Sequence, residues 1–395
     1  MEKKKDKGVE EKKVILGRVS NNLKMGIVGL PNVGKSLTFN LLSKQSVPSE
    51  NFMFCTINPN KAVVPVPDSR FNFLVSLYKP KSEVPATLTI MDIAGLVKGA
   101  STGAGMGNAF LSHISSVDGI YHVVRVFDDD EVQHYEGDVD PIRDLETIKE
   151  ELIEKDKVAC AKKLEETSAK AKRNGQDKVA ILERDTFQKA IDLLNNNQNI
   201  KDKNDWTYKE IDILNDMLFL TAKPGVYLLN MSETDYIKKK NRYLSKIVKW
   251  IEANGGGKII PYSASYEQKL FESSKDEREK IIKESGADSN LDKIITSGYS
   301  CLELIHYFTA GTDEVKCWTI RNGIKAPQAA GVIHTDFERG FISADVMKFD
   351  DIQTLGSEND VKKEGKLRCE GKLYEVKDGD IIHFKFNVSD PKKKK

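Results

Sequence analysis

Hydrophobic positions fall into three regimes along the chain. In the first, short apolar runs are continuous: "LKMGIVG" from Leu23, "ATLTIMD" from Ala86 to Asp92, "GIYHVVRVF" from Gly119 to Phe127, "GVYLLN" from Gly225 to Asn230 and "KIIPYSAS" from Lys258 to Ser265. Continuous rather than alternating apolar runs of this length predict strands covered on both faces by helices, as in the parallel sheet of an α/β fold. Between about Pro141 and Trp206 charged residues and helix formers take over. Leu145, Ile148 and Leu152 follow a 3–4 spacing, "RNGQD" (Arg173 to Asp177) supplies a turn, and Leu182, Phe187, Ile191 and Leu194 mark a returning helix. Two narrow apolar stripes on charged helices predict an antiparallel helical hairpin, inserted into the sheet domain because strands resume after it. From about Leu304 short pieces alternate with glycines ("VKCWTIRNG", "GFISADVM", "KLYEV", "DIIHFKF"), which predicts a small β-rich domain.

Composition adds mostly exclusions. At 395 residues and 39% hydrophobic, the chain fits about two or three globular domains. No apolar run approaches the ~20 residues of a membrane span, and the mixed-charge start "MEKKKDKGVEEKK" is not expected to be a secretory signal. Cys55, Cys160, Cys301, Cys317 and Cys369 are scattered, without a Cys-x-x-Cys pair. That argues against a disulfide framework or zinc site and for a reducing compartment. Lys plus Arg (61) balances Asp plus Glu (60), so nucleic-acid contact needs a local patch. The tail "PKKKK" is read as a solvated end.

The chemistry starts at "GLPNVGKS", Gly29 to Ser36, which fits G-x-x-x-x-G-K-[ST] directly after a predicted strand. Gly29 and Gly34 let the backbone curl so that N–H groups converge on phosphates, and the following helix adds its positive end. Lys35 is expected to reach the β- and γ-phosphates, and Ser36 to ligate Mg²⁺. "DIAG" closes a strand: Asp92 would hold the metal through a water and the Gly95 N–H would sense the γ-phosphate. Thr56, in "FCTINPN" between the two motifs, is the candidate mobile switch threonine.

The base is read elsewhere. In GTP-binding switch proteins the turn after a buried strand spells Asn-Lys-x-Asp, and the Asp accepts from guanine N1–H and the 2-amino group. Here the turn reads Asn230, Met231, Ser232, Glu233. Glu233 is one methylene too long, and Met231 offers a thioether suited to a purine face. Asn230 remains to bridge loops or offer an amide to the base. The segment argues against guanine selectivity without proving adenine selectivity.

Taken together, "GIVGLPNVGKS", "FCTINPN", "DIAGLVKGASTGAGMGNAFLSHI", "NMSE" and "TIRNGIKAPQAAGVIHTDFERGFISADV" resemble the Obg-like ATPase family, the YchF branch of the Obg-related P-loop proteins. The likeness runs from about Gly17 to Asn387. The resemblance implies a P-loop NTPase G domain (about 23–283, after a charged extension over 1–22) with a coiled-coil insertion over about 141–206. It also implies a C-terminal TGS domain of β-grasp type over 304–387, then a basic tail, 388–395. It further implies ATP preferred over weakly bound GTP, Mg²⁺ dependence, and association with ribosomes. A cytoplasmic monomer, compatible with nuclear or nucleolar presence, is the expectation. Carried over by position, Asn32, Val33, Gly34, Lys35, Ser36 and Leu37 hold the phosphates, Ser36 and Thr56 ligate Mg²⁺, and Asn230 with the Met231 main chain contacts adenine. Leu37 departs from the family's usual Thr and forfeits one hydroxyl. Leu96 stands where many GTPases place the water-orienting Gln, so an imidazole, His113, becomes the candidate for that work. Three readings remain at this point: an ATP-hydrolysing switch, a nucleotide-gated ribosome-binding module with incidental turnover, and an Obg-type GTPase. The hairpin's charged faces and Arg321, Lys325 and Arg339 of the small domain are the candidate macromolecular contacts.

Overall fold

The structure is a computed structural model that describes residues 16–18, 20–44, 60–93, 113–129, 131–134 and 136–387. Its strands are β1 (Lys24–Val28), β2 (Lys61–Pro65), β3 (Ser82–Val84), β4 (Thr87–Asp92), β5 (Gly119–Arg125), β6 (Gly225–Asn230) and β7 (Lys258–Tyr262), then β8 (Leu304–Ala310), β9 (Glu314–Arg321), β10 (Phe341–Met347), β11 (Arg368–Glu370) and β12 (Ile381–Phe386). By contacts the chain divides into two compact units, one holding 149–223 with the described residues before Val19, the other the rest.

In the larger unit one sheet runs β2-β4-β1-β5-β6-β7. Every neighbouring pair is parallel except β2 with β4. All of β5 and four of the five residues of β1 are buried, which is why these strands read as unbroken apolar runs. The chain leaves β1 for one neighbour, β4, before returning on its other side as β5. This reversal opens a crevice at the carboxyl end of β1, where the P-loop emerges into helix α1 (Lys35–Lys44). The edge strand β2 was not anticipated. Its signal is alternation, with Ala62, Val64 and Val66 buried.

The second sheet of this unit runs β11-β10-β12-β8-β9-β3. Helix Ala326–Ile333 covers it closely because Ala326, Ala329 and Ala330 have no bulk; all three are fully buried among Tyr307, Ile320, Phe341 and Val346. "KLYEV" is not a strand. Leu373 is 74% exposed, and only an isolated bridge joins Glu375 to Lys325. The turn is shaped instead by Asp380, whose carboxylate accepts from Tyr374 Oη at 2.6 Å and Lys377 N at 2.9 Å. The edge strand β3 comes from the nucleotide-binding half of the chain and pairs in parallel with β9, Glu83 opposite Val315. Beside it helix α2 (Ser69–Tyr78) begins at Asp68, whose carboxylate caps Arg70 N at 2.7 Å, accepts from Arg70 Nη2 at 2.7 Å and takes His306 Nε2 at 2.8 Å. Arg70 also pairs with Asp378 at 2.9 Å. Gly379, at φ +82°, leaves room for that guanidinium, which a Cβ would strike.

Helix α3 (Pro141–Arg173) begins in the larger unit and from Lys149 on belongs to the smaller one, where it and α4 (Lys178–Asn195) are joined by a turn whose Asp177 caps Val179 N and Ala180 N. Ile153 and Cys160 of α3 pack with Phe187, Ala190 and Leu194 of α4. The unit extends past Trp206 to Lys223, and Ile200, Trp206, Leu214 and Phe219 share its core. Buried Asp156 anchors that extension by accepting from Leu220 N (3.0 Å), Thr221 N (2.7 Å) and Thr221 Oγ1 (2.7 Å). Burial pushes this carboxyl up to about 6, against the pull of those bonds. Among the described residues no helix is long and apolar enough to cross a membrane.

Candidate functional site

The loop from Gly29 to Ser36 turns at two left-handed residues, Asn32 (φ 61°) and Gly34 (φ 97°). Gly34 has a steric reason besides: a Cβ there would collide with the Asn230 amide. Asn230, at the end of β6, clamps the loop by donating Nδ2 to Val33 O at 3.0 Å while its Oδ1 accepts from Ala264 N at 3.0 Å. It thereby joins the P-loop to the turn after β7, where buried Ser263 caps the next helix. The role of that turn was missed in the sequence, although its "SAS" lies at the end of a recognised strand.

Lys35 is only 8% exposed, and its Nζ donates to Leu30 O at 2.5 Å. Burial lowers its pKa to about 8, partly opposed by the charge of Asp92. Ser36 Oγ donates to Asp92 Oδ2 at 3.1 Å. Burial raises the Asp92 carboxyl, against that hydrogen bond and the charge of Lys35. A hydroxyl and a carboxylate brought together beside a buried ammonium are hard oxygen donors of the kind that suit Mg²⁺ with waters completing the shell. Leu37 is half-buried on the first turn of α1.

At the base-reading turn, Met231 corrects an expectation. Its side chain is 2% exposed and packs with Tyr236, Ile247 and Tyr266, so it is committed to the core and not to a purine face. Its N–H is also engaged, donating to Tyr262 O at 2.8 Å. Ser232 caps helix Glu233–Lys238, which places Glu233 in its first turn. The Glu233 carboxylate accepts from Lys269 Nζ at 2.6 Å, a partner the sequence did not signal.

His113 is exposed, and its carbonyl accepts from Ser116 N and Oγ. Thr56 and Gly95 lie outside the described residues. Of the basic residues singled out beyond Leu304, which lie in the larger unit, Arg339 is exposed, whereas Arg321 is half-buried and spends Nη1 on Leu302 O at 2.7 Å. Among the described residues no cluster of His, Cys, Asp and Glu is set to hold a metal.

A phosphate-sized loop at the carboxyl end of a parallel sheet, with a buried lysine and a Ser–Asp pair, defines a P-loop nucleoside triphosphatase. Comparison with known sequences agrees. A family model described as a 50S ribosome-binding GTPase matches residues 24–163, and a YchF GTPase C-terminal model, described as a protein of unknown function, matches 304–387. Obg-like ATPase 1 of Oryza sativa subsp. japonica is 56% identical over 391 residues, covering 99% of this chain and 98% of that one. Obg-like ATPase 1 of Homo sapiens is 52% identical over 383 residues, 96% of each. A solved structure titled as the Schizosaccharomyces pombe YchF GTPase matches with a TM-score of 0.86 at 49% identity, over 94% of this chain and all of that one. The chain belongs to the Obg-like ATPase (YchF) family and is a nucleotide-binding switch enzyme.

Proposed function

We propose that this enzyme hydrolyses ATP in preference to GTP, with Mg²⁺, as a cytoplasmic, ribosome-associated monomeric switch. The observation that carries the base preference is the Glu233–Lys269 contact at 2.6 Å. Reading guanine needs a carboxylate free to face two N–H donors; here the carboxylate is turned to an ammonium and neutralised. With the Met231 N–H occupied by Tyr262, the group left at that residue to face a base edge is its carbonyl. A carbonyl accepts from the 6-amino group of adenine and meets only another acceptor at O6 of guanine. The relatives' name, Obg-like ATPase, agrees, while the related yeast structure is titled a GTPase.

In this reading Asn32 to Leu37 line the phosphates, Lys35 neutralises them, and Ser36, Asp92 and Thr56 serve the metal. The Gly95 N–H follows the γ-phosphate and His113 orients water. Bound Mg²⁺ would supply charge stabilisation for the departing phosphoryl group. Ribosome association follows the printed description of the matching N-terminal family model. A second reading is a nucleotide-gated ribosome-binding module with incidental turnover; Leu96, which has no group to orient water, fits both readings. Competition titrations and turnover with ATP and GTP, each with and without ribosomes, test all of this. Equal or tighter GTP affinity overturns the base assignment. Turnover that ribosomes leave unchanged, together with ATP-dependent ribosome binding, favours the second reading.

A further inference from the structure

Asn230 from β6 and Asp92 from β4 both tie down the P-loop. A further support arrives from the segment after β5 and has no counterpart in the motifs. Asn32 occupies a left-handed conformation, which residues other than glycine, asparagine and aspartate rarely adopt, at φ 61°, and its Nδ2 donates to the main-chain carbonyl of Gln133 at 3.0 Å. That carbonyl is held from two sides. Upstream, Arg125 ends β5 at 1% exposure, and its guanidinium gathers the segment by donating to Phe127 O at 3.1 Å, Val132 O at 2.8 Å and Asp129 O at 3.3 Å. It also lies over the Phe127 ring, 4.6 Å from its centroid. Downstream, His134 is buried against Asp144, Nε2 to Oδ2 at 3.0 Å, with side-chain exposures of 1% and 4%. The His134 Nδ1 accepts from Glu136 N at 3.1 Å, so the hydrogen on Nε2 is the one given to Asp144. Asp144 lies in the first turn of α3, a turn fixed in its place by Asp140, which caps Ile142 N and Arg143 N.

We propose that Arg125, His134 and Asp144 are positioning residues for nucleotide binding, holding the Gln133 carbonyl where Asn32 can keep its left-handed turn. The root of the long helix and the phosphate cradle then form one mechanical element. None of the three touches a phosphate-facing group. Their effect comes through the fraction of molecules whose P-loop is already curled: apparent affinity scales with that fraction. Ground state and transition state share the same cradle, so loosening it raises KM and leaves kcat in place. This inference needs nucleotide binding alone and is independent of which base is preferred.

The test is a double-mutant cycle on the full chain, read by titration with a fluorescent ATP analogue and by steady-state kinetics. Asp144→Asn keeps the shape of the pair but removes its charge. Asn32→Gly deletes the brace and the left-handed strain together. Asp144→Asn alone is expected to raise Kd and KM roughly fivefold, the difference between a charged and a neutral hydrogen bond from His134, with kcat unchanged. In the Asn32→Gly background the same substitution should add less than about twofold, because the path it acts through is gone. Losses that multiply in the double variant, or a fall in kcat at unchanged KM, overturn the proposal. Should melting show Asp144→Asn unfolded, Gln133→Gly, at an exposed position, loosens the same carbonyl and must give the same pattern; additivity with Asn32→Gly overturns it equally.

Discussion

Two cations, buried Lys35 in the phosphate cradle and half-buried Arg70 where the two sheets of the larger unit meet, lie close to carboxylates and end in opposite electrostatic states. Lys35 has a carbonyl, Leu30 O, at hydrogen-bond distance, and Asp92 attracts it only through space. Arg70 has two carboxylates, Asp68 and Asp378, and rests over the Phe308 ring at 5.7 Å. Burial works against charge in both places. At Lys35 it wins and the ammonium is pushed down to about 8. At Arg70 burial is outweighed by Asp68 and Asp378, and the pKa rises; at Asp68 the hydrogen bonds from His306 and Arg70 outweigh burial and hold the carboxyl well below its usual range. A cation short of anions is poised to take a polyphosphate; one with its anions in place has finished its work when the chain folds.

The largest expected contrast comes from deleting each cation. Lys35→Ala should weaken ATP binding by about 100-fold or more, since several charge-assisted bonds to a triphosphate go with it. The melting temperature of the nucleotide-free protein should not fall, because an under-partnered buried charge leaves with the side chain. Arg70→Ala should do the reverse. Asp68 and Asp378 would lose their shared counter-ion, with Asp68 left to His306 and the Arg70 main-chain N–H, for a loss of about 2 kcal/mol of stability, while ATP affinity stays within about twofold of the parent. Isothermal titration and thermal melting on both variants decide it. Loss of ATP binding in Arg70→Ala would show that the two regions do not act separately.

Acidity separates them next. With its pKa near 8 in the nucleotide-free protein, Lys35 is charged at neutral pH and must regain a proton to bind phosphate above that value. ATP affinity should therefore be flat from about pH 6 to 7 and fall above pH 8, by at most about tenfold per unit. Lys35→Arg should flatten the slope. The stability of the nucleotide-free protein moves the other way. The unfolded chain keeps the lysine proton up to its ordinary 10.5, so between about 8 and 10.5 the unfolded state binds more protons and folding is favoured as pH rises. Asp68 acts at the acid end. Its folded pKa lies below the ordinary 3.8, so its contribution is complete above that value and is lost as pH falls beneath it. Acid melting curves of Arg70→Ala should show part of that loss already made, with a shallower slope, the rest being held by His306.

These two regions also differ in how far they could be read from the sequence. The P-loop, the strand before it and Asp92 were legible because phosphate chemistry fixes residue type and spacing together; the structure places Ser36 against Asp92 and Asn230 against Val33. The Met231 side chain was misjudged although the rule was at hand. Successive residues at a strand end point to opposite sides, so if Asn230 faces the P-loop, Met231 faces the core. The junction was not legible at all. Strand β3 is three residues long with no buried position, and its partner in β9 lies more than two hundred residues away. Asp68 and Arg70 look like any helix cap until His306 and Asp378 arrive. Lys269, which pairs with Glu233, lies on the next helix but one, beyond any local pattern.

The smallest expected effect sharpens the cradle side of the contrast. Leu37 is half-buried at the position where the resemblance leads one to expect Thr, and only its N–H serves a phosphate in the proposed reading. Leu37→Thr adds one hydroxyl within reach of the α-phosphate, worth about 1 kcal/mol or roughly fivefold in affinity. It also removes part of an apolar side chain from the first turn of α1, at a stability cost of about 0.5–1 kcal/mol. The expected signature is thus a tighter complex on a slightly less stable protein, with the acid-side slope assigned to Asp68 untouched. Titration of the variant with ATP and with ADP separates the outcomes. The gain should be equal for both, because the α-phosphate is common to them. A gain confined to ATP would move the new hydroxyl's contact to the γ-phosphate side, and no gain at all would mean that the main-chain N–H groups already saturate the α-phosphate.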